Sequence, residues 1–210
     1  MNNVLVLRYK AYFEKRGEGK RFLVVYADDY LAGFEHKREA KRCYKEMQGG
    51  LKKYGLEIET SKSRLLEFGR YAKERRKRRG ERNPETFDFL GFTFYGGENQ
   101  KRKFCVKPKT NGKRFRTKLK EMQKWLKRMR MVPIKEMMPA LNRKLTGHYC
   151  YYGMTYNVQS LVRVHYYTTQ LLYKWMNRRS QKKSYNWEQF KMMLTYYPIA
   201  YPKRYYNLYA

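Results

Sequence analysis

Aspartate is nearly missing from this chain: Asp28, Asp29 and Asp88 are the only three, and all acids together number 18 against 49 Lys and Arg. The shortage leaves a net charge of +31 over 210 residues. Such a field attracts polyanions, and for a basic chain the commonest polyanion is nucleic acid. Cysteine is also scarce. Cys43, Cys105 and Cys150 are an odd number without CxxC spacing, which suggests free thiols in a reducing compartment and argues against a zinc site. His36, His148 and His165 stand far apart without metal-ligand spacing, so each reads as a helix-surface or core residue. No apolar run reaches the ~18 residues of a spanning helix, and the start MNNVLVLRYKAYF lacks the pattern of a signal peptide, so no membrane is expected. Internal repeats and low-complexity linkers are missing as well. What is present is a core: 42% hydrophobic and 17% aromatic residues exclude general disorder despite the charge.

Periodicity divides the chain into an α+β part to about residue 98 and an all-α part from 99 to 210. RFLVVY (21–26) is apolar, β-branched and short, and so predicts a strand, with YLAGF (30–34) returning beside it. Asp28 and Asp29 then occupy or flank the hairpin turn, which suits aspartate sterically. From His36 onward Ala40, Cys43, Tyr44, Met47, Leu51 and Tyr54 follow helical spacing, with Gly55 as the stop and Gly49 and Gly50 as a weak point. LEIET (56–60) and SRLLEFG (63–69) predict two strands around a turn carrying Lys62. FDFLGFTFYGG (87–97) predicts one further strand ending at a glycine turn. Between them, residues 70–82 hold eight Lys or Arg and two Glu. This run reads as a solvated loop or frayed helix, or equally as a phosphate-facing loop.

In the second half, residues 101–130 hold fourteen Lys or Arg and one acid, Glu121. Phe115, Leu119, Met122, Leu126 and Met129 recur at three-four spacing, an inward stripe with Lys118, Lys120, Lys124, Lys127 and Arg128 largely outside it. Leu141, Leu145, His148, Tyr149 and Tyr152 outline a second helix stopped by Gly153. Asn157 caps a third helix through Trp175, and Asn186 with Gln189 resembles the capping box of a fourth. Many of the 22 tyrosines alternate with Lys and Arg, the combination that stacks unpaired bases and holds phosphates. Tyr149, Tyr152 and Trp175 follow the buried stripe and read as core; Tyr151, Tyr156 and the tail tyrosines are better placed for contact.

Adjacent carboxylates at a rigid turn suit a metal-assisted phosphoryl transfer, in which paired ions activate an attacking hydroxyl and steady a leaving oxygen. Magnesium prefers such hard oxygen ligands. An Asp-Asp turn alone is ordinarily only a solvent-facing turn. The surroundings decide otherwise.

YADD between apolar strands resembles the catalytic hairpin of reverse transcriptases, and further matches follow in order. GLEIETSKSRLLEFGR and PETFDFLGFTFYGG, with its F-x-F-L-G-F core, are similar to the later palm segments of group II intron reverse transcriptases. LNRKLTGHYCYYGMTYN resembles that family's maturase-specific segment. RRSQKKSYNWEQF and PIAYPKRYYNL are similar to its C-terminal end. The resemblance implies the closing part of a polymerase palm over residues 1–98, then a thumb and maturase-specific domain over 99–210. It implies that Asp28 and Asp29 are catalytic magnesium ligands, that Tyr26 and Ala27 line the nucleotide-site floor, and that Lys62 lies near the incoming triphosphate. Lys62 reads equally well as a solvated turn lysine. Lys107, Lys109, Lys113, Arg114, Arg116, Lys118, Lys120, Lys124, Lys127 and Arg128 become the nucleic-acid-binding set.

The expected partners are intron RNA, an RNA template and a DNA primer, within a cytoplasmic ribonucleoprotein. The family's polymerase also has fingers and a first palm aspartate upstream, and no aspartate precedes Asp28 here. The expectation is therefore a C-terminal portion, inactive alone, that needs a missing N-terminal half for catalysis, with a separate chain as one source of that half. The alternative is a non-catalytic RNA-binding maturase remnant that assists intron folding and splicing.

Overall fold

The computed structural model describes residues 19–27, 29–53, 55, 63–179 and 184–208. Strands and helices together make an α+β chain in two compact units, Met1–Phe68 and Gly69–Ala210. Asp28, Lys62 and the expected strand at 56–60 lie outside the described residues.

In the first unit, β1 (Arg21–Tyr26) and β2 (Asp29–Phe34) form an antiparallel hairpin in the register Tyr26↔Asp29 to Arg21↔Phe34. Ala27 has φ +49°, the left-handed geometry that matches a two-residue turn to the twist of its strands. Helix α1 (Lys37–Lys52) passes through Gly49 and Gly50 without a break. Gly55, at φ +69°, donates its N–H to the Lys52 carbonyl and ends it. Cys43 and Met47 are buried against Leu23, Ala32 and Phe34, so one face of the hairpin rests on α1. Burial pushes the Cys43 thiol up to about 11, and Glu46 adds to the effect, so this cysteine is held as a neutral thiol. Phe22, Val24 and Tyr26, alternating along β1, are exposed.

From residue 63 onward the structure corrects several expectations. Residues 63–68 have no regular structure where a strand was expected; they lie next to Gly69 at φ +128°. The basic run contains a short helix, α2 (Ala72–Arg78). Within that run Arg76 is tied down, its Nη2 lying 2.7 Å from Glu81 and its Nε donating to the Asn83 carbonyl. FDFLGFTFYGG is a hairpin and not one strand: β3 (Phe87–Phe89) and β4 (Phe92–Glu98) pair antiparallel across Leu90 and Gly91. Both turn residues have positive φ, +49° and +79°, the requirement of a type I′ turn. A third strand, β5 (Phe104–Thr110), which sequence reasoning did not anticipate, pairs with β4 from Phe92↔Thr110 to Glu98↔Phe104. The compositional change at residues 98 and 99 therefore falls in the loop joining two paired strands.

Among the described residues, four helices complete the second unit: α3 (Gly112–Met129), α4 (Ile134–Tyr152), α5 (Val158–Met176) and α6 (Trp187–Tyr196). Asn111 caps α3 by accepting from the Lys113 and Arg114 N–H groups. Asn186 and Gln189 make the full capping box on α6. Met122, Leu126, Leu141, Leu145, Tyr149, Leu161, Leu172 and Phe190 form the centre of one continuous core. Trp175 is buried as well, and Tyr152 half-buried. Asn157 does not cap α5 with its side chain. It is fully buried and accepts from the Thr110 N–H at 2.7 Å while donating to the Tyr152 carbonyl, which ties β5 to the end of α4. After α6 the tail returns over the bundle. Asn142 brackets it by donating to the Pro198 carbonyl and accepting from Ala200, and the Gly153 carbonyl accepts from Tyr205 and Tyr206. Among the described residues, no helix is long and apolar enough to cross a membrane.

Candidate nucleic-acid interface

The sequence-predicted residues fall on two places, one in each unit. At the hairpin tip, Asp29 opens β2 opposite Tyr26, which closes β1 and is 63% exposed. Ala27 is the exposed turn residue between them. The carboxylate of Asp29 therefore stands at a sterically fixed corner with open access. Its hard oxygens are the donor type that magnesium takes. Among the described residues no three His, Cys, Asp or Glu gather closely enough to hold a metal ion; Asp28 lies outside them.

The basic residues occupy β5 and α3. On β5, Lys107 and Lys109 project two residues apart, as strand alternation requires. The Lys107 Nζ lies 4.6 Å from the Tyr156 ring centroid and the Lys109 Nζ 5.4 Å from that of Tyr95. Each ammonium is steadied over an aromatic face. On α3, Lys113, Arg114, Arg116, Lys120, Lys124, Lys127 and Arg128 are exposed. Lys118 is the exception: it is half-buried. Burial lowers its pKa, Glu121 works against that shift, and Lys144 adds to it. Its neighbour His148 is buried, and burial with the Lys118 charge brings its pKa down to about 4. The imidazole is therefore neutral at ordinary pH.

Towards the end of α3 the surface is concave. Lys124, Lys127, Arg128, Arg130 and Met131 line an open depression of about 410 Å³. Nearby, Trp175 receives three cations: Lys127 at 6.0 Å, Lys174 at 5.8 Å and Arg178 at 5.6 Å from its ring centroid. Lys174 and Arg178 were not among the residues expected from sequence. Their signal was present, since they lie one residue before and three after a tryptophan on a helix, but the buried stripe drew attention to the ring alone. The cations are thus presented on a rigid core, in a geometry that can neutralise successive phosphates. Of the tyrosines set aside for contact, Tyr151, Tyr201 and Tyr206 are exposed, whereas Tyr156 is half-buried under Lys107.

Two known families match parts of the chain. Residues 1–94 match the family model for reverse transcriptase (RNA-dependent DNA polymerase). Residues 112–193 match that of the group II intron maturase-specific domain. No curated protein matches the chain.

Proposed function

The chain belongs to the group II intron reverse transcriptases and maturases, and we propose that it grips structured RNA on β5 and α3 while its hairpin tip serves a polymerase centre. The family implies nucleic-acid partners such as RNA. The finer reading names intron RNA, an RNA template and a DNA primer, held in a cytoplasmic ribonucleoprotein. One observation carries it: the cations of residues 101–130, with Glu121 their single acid, are mounted on paired strands and a capped helix whose other face is core. A cationic surface of fixed shape suits an RNA backbone of fixed shape.

The reaction is attack of a primer 3′-hydroxyl on a deoxynucleoside triphosphate with release of pyrophosphate. Asp28 and Asp29 would hold magnesium there, which supplies activation of the hydroxyl and neutralisation of charge on the phosphates. Tyr26 and Ala27 would form the floor against which the nucleotide rests, and Lys62 would carry the family's role at the triphosphate. A third carboxylate, beyond Asp28 and Asp29, completes the ligand set. Without it two carboxylates hold magnesium weakly, because the ion keeps its waters unless several donors converge.

The test is primer extension on an RNA template. This chain alone should give no product, and the chain mixed with a polypeptide carrying the fingers and first palm aspartate should extend the primer. Asp29→Asn in the mixture should abolish extension and leave RNA binding intact. Undiminished extension after replacing both Asp28 and Asp29 would end their assignment as ligands. If no mixture extends a primer while the chain still promotes intron splicing, the non-catalytic maturase becomes the better account.

A further inference from the structure

One aromatic cluster stands at the edge of the bundle core, where Phe115 packs against the buried residues. On α5, Arg163, Tyr166 and Tyr167 are three and four residues apart, the spacing that places side chains on one helix face. The Arg163 guanidinium carbon lies 4.9 Å from the ring centroid of Phe115 on α3. Phe115 meets Tyr167 edge-on, with centroids 6.3 Å apart and planes at 76°. Tyr167 in turn meets Tyr166 at 5.3 Å and 73°. The four side chains are therefore one continuous cluster bridging two helices.

Ring-to-ring contact ordinarily accompanies burial, and buried tyrosines find a partner for the hydroxyl. Here neither happens. Tyr166 is 55% exposed and Tyr167 41%, and neither phenol makes a hydrogen bond among the described residues. Packing against Phe115 fixes the rings in place, but the cluster leaves much of their surface in water. The chemistry around them narrows the occupant. Arg163 is exposed within the cluster, and Arg114 and Arg116, also exposed, flank Phe115 in the chain. An apolar protein surface would leave those guanidinium groups without counter-charges. A phosphate-linked aromatic ligand meets both requirements, since its base stacks on the ring and its phosphates reach the arginines.

We propose that Phe115, Arg163, Tyr166 and Tyr167 form a stacking platform for an unpaired RNA base, one extruded from or lying beside a duplex. The inference rests on the RNA-binding reading and adds to it a site that distinguishes unpaired from paired RNA. Phosphate contacts on β5 and α3 do not make that distinction, because duplex and bulged RNA carry the same backbone charge. Tyr166 and Tyr167 supply the ring faces, Phe115 orients Tyr167, and Arg163 places a cation where the extruded nucleotide's phosphate runs.

The experiment uses the full chain and two RNAs of one length, a perfect duplex and a duplex with a single bulged 2-aminopurine. The native chain should bind the bulged RNA more tightly and quench the 2-aminopurine. Replacing both tyrosines with Ala should weaken binding to the bulged RNA about tenfold or more, the scale of one lost base–aromatic stack, and leave duplex binding within about twofold. Tyr166→Phe with Tyr167→Phe keeps the ring faces and should retain the native preference. Since both side chains lie at the surface, thermal melts should confirm that all variants fold alike. Equal losses on the two RNAs, or a Phe variant as weak as the Ala variant, would overturn the platform. Native binding to both RNAs with no preference would also overturn it, leaving the RNA-binding reading intact. Native binding to neither RNA would overturn the reading itself.

Discussion

His148 takes in the fold the core place that its helical spacing gives it. In the sequence it is one of several residues in a helical stripe. In the fold it sits buried against Tyr149 and Tyr152, near the Lys118 ammonium, with no hydrogen-bond partner for Nε2 among the described residues. Burial first, and then Lys118, lowers its pKa from 6.5 to about 4. The unfolded chain therefore binds a proton at higher pH than the folded one does. Above about pH 6.5 the imidazole is neutral in both states and its contribution does not vary; between about 6.5 and 4 stability falls as pH falls, by on the order of 3 kcal/mol across the window. His165, lowered by burial as well, acts in the same direction. Denaturant midpoints measured from pH 7 to 4 should show this loss, and His148→Phe should flatten part of it. An unchanged slope in the variant would show that the buried imidazole is not the group responsible. Asn157 is a related case. Its place before a helix suggested a cap, yet its amide joins three elements, because the partner Thr110 lies 47 positions away in the chain and no local pattern reveals such a distance.

Among the elements, the helices were legible and the strands of the second unit were not, and the reason is visible in particular residues. The stripe Phe115 to Met129, the stop at Gly153 and the Asn186–Gln189 box are local signals that the fold uses as they stand. β5 has none of them, since FCVKPKT carries a proline and two lysines and is a strand through its pairing with β4. In the same way FDFLGF reads as one apolar run until the turn is seen. Gly91 is the residue that makes the turn possible. At φ +79° it occupies a region that L-residues avoid, and an added Cβ would lie 2.7 Å from the Tyr152 hydroxyl oxygen. Gly91→Ala should therefore destabilise the second unit by about 1–3 kcal/mol, the scale of a strained backbone position, and lower its melting temperature. A melting temperature equal to the native one would mean that the β3–β4 turn tolerates a side chain and is not held as described.

At the scale of the whole molecule, charge was legible from composition and its placement was not. Net charge of +31 promises a polyanion partner, but it does not say which cations are committed internally. The structure separates them: Arg76 is bound to Glu81 and Lys118 is half-buried, while Lys113, Arg114, Arg116, Lys120 and Lys124 are exposed along α3. The two carboxylates of YADD were legible as chemistry, because so few aspartates exist elsewhere. Their geometry as a pair was not, since a metal site depends on donors brought together from distant segments.

The claim that this surface grips RNA through its phosphates is tested most directly by equilibrium binding of a structured RNA to the full chain over a salt series. With about six to ten phosphate contacts, affinity should fall by ~10³–10⁵ between about 50 and 200 mM salt. A variant with Ala at Lys113, Arg114, Arg116, Lys120 and Lys124 should bind more weakly and show a shallower dependence. A flat response in the native chain, or an unchanged slope in the variant, would contradict the account.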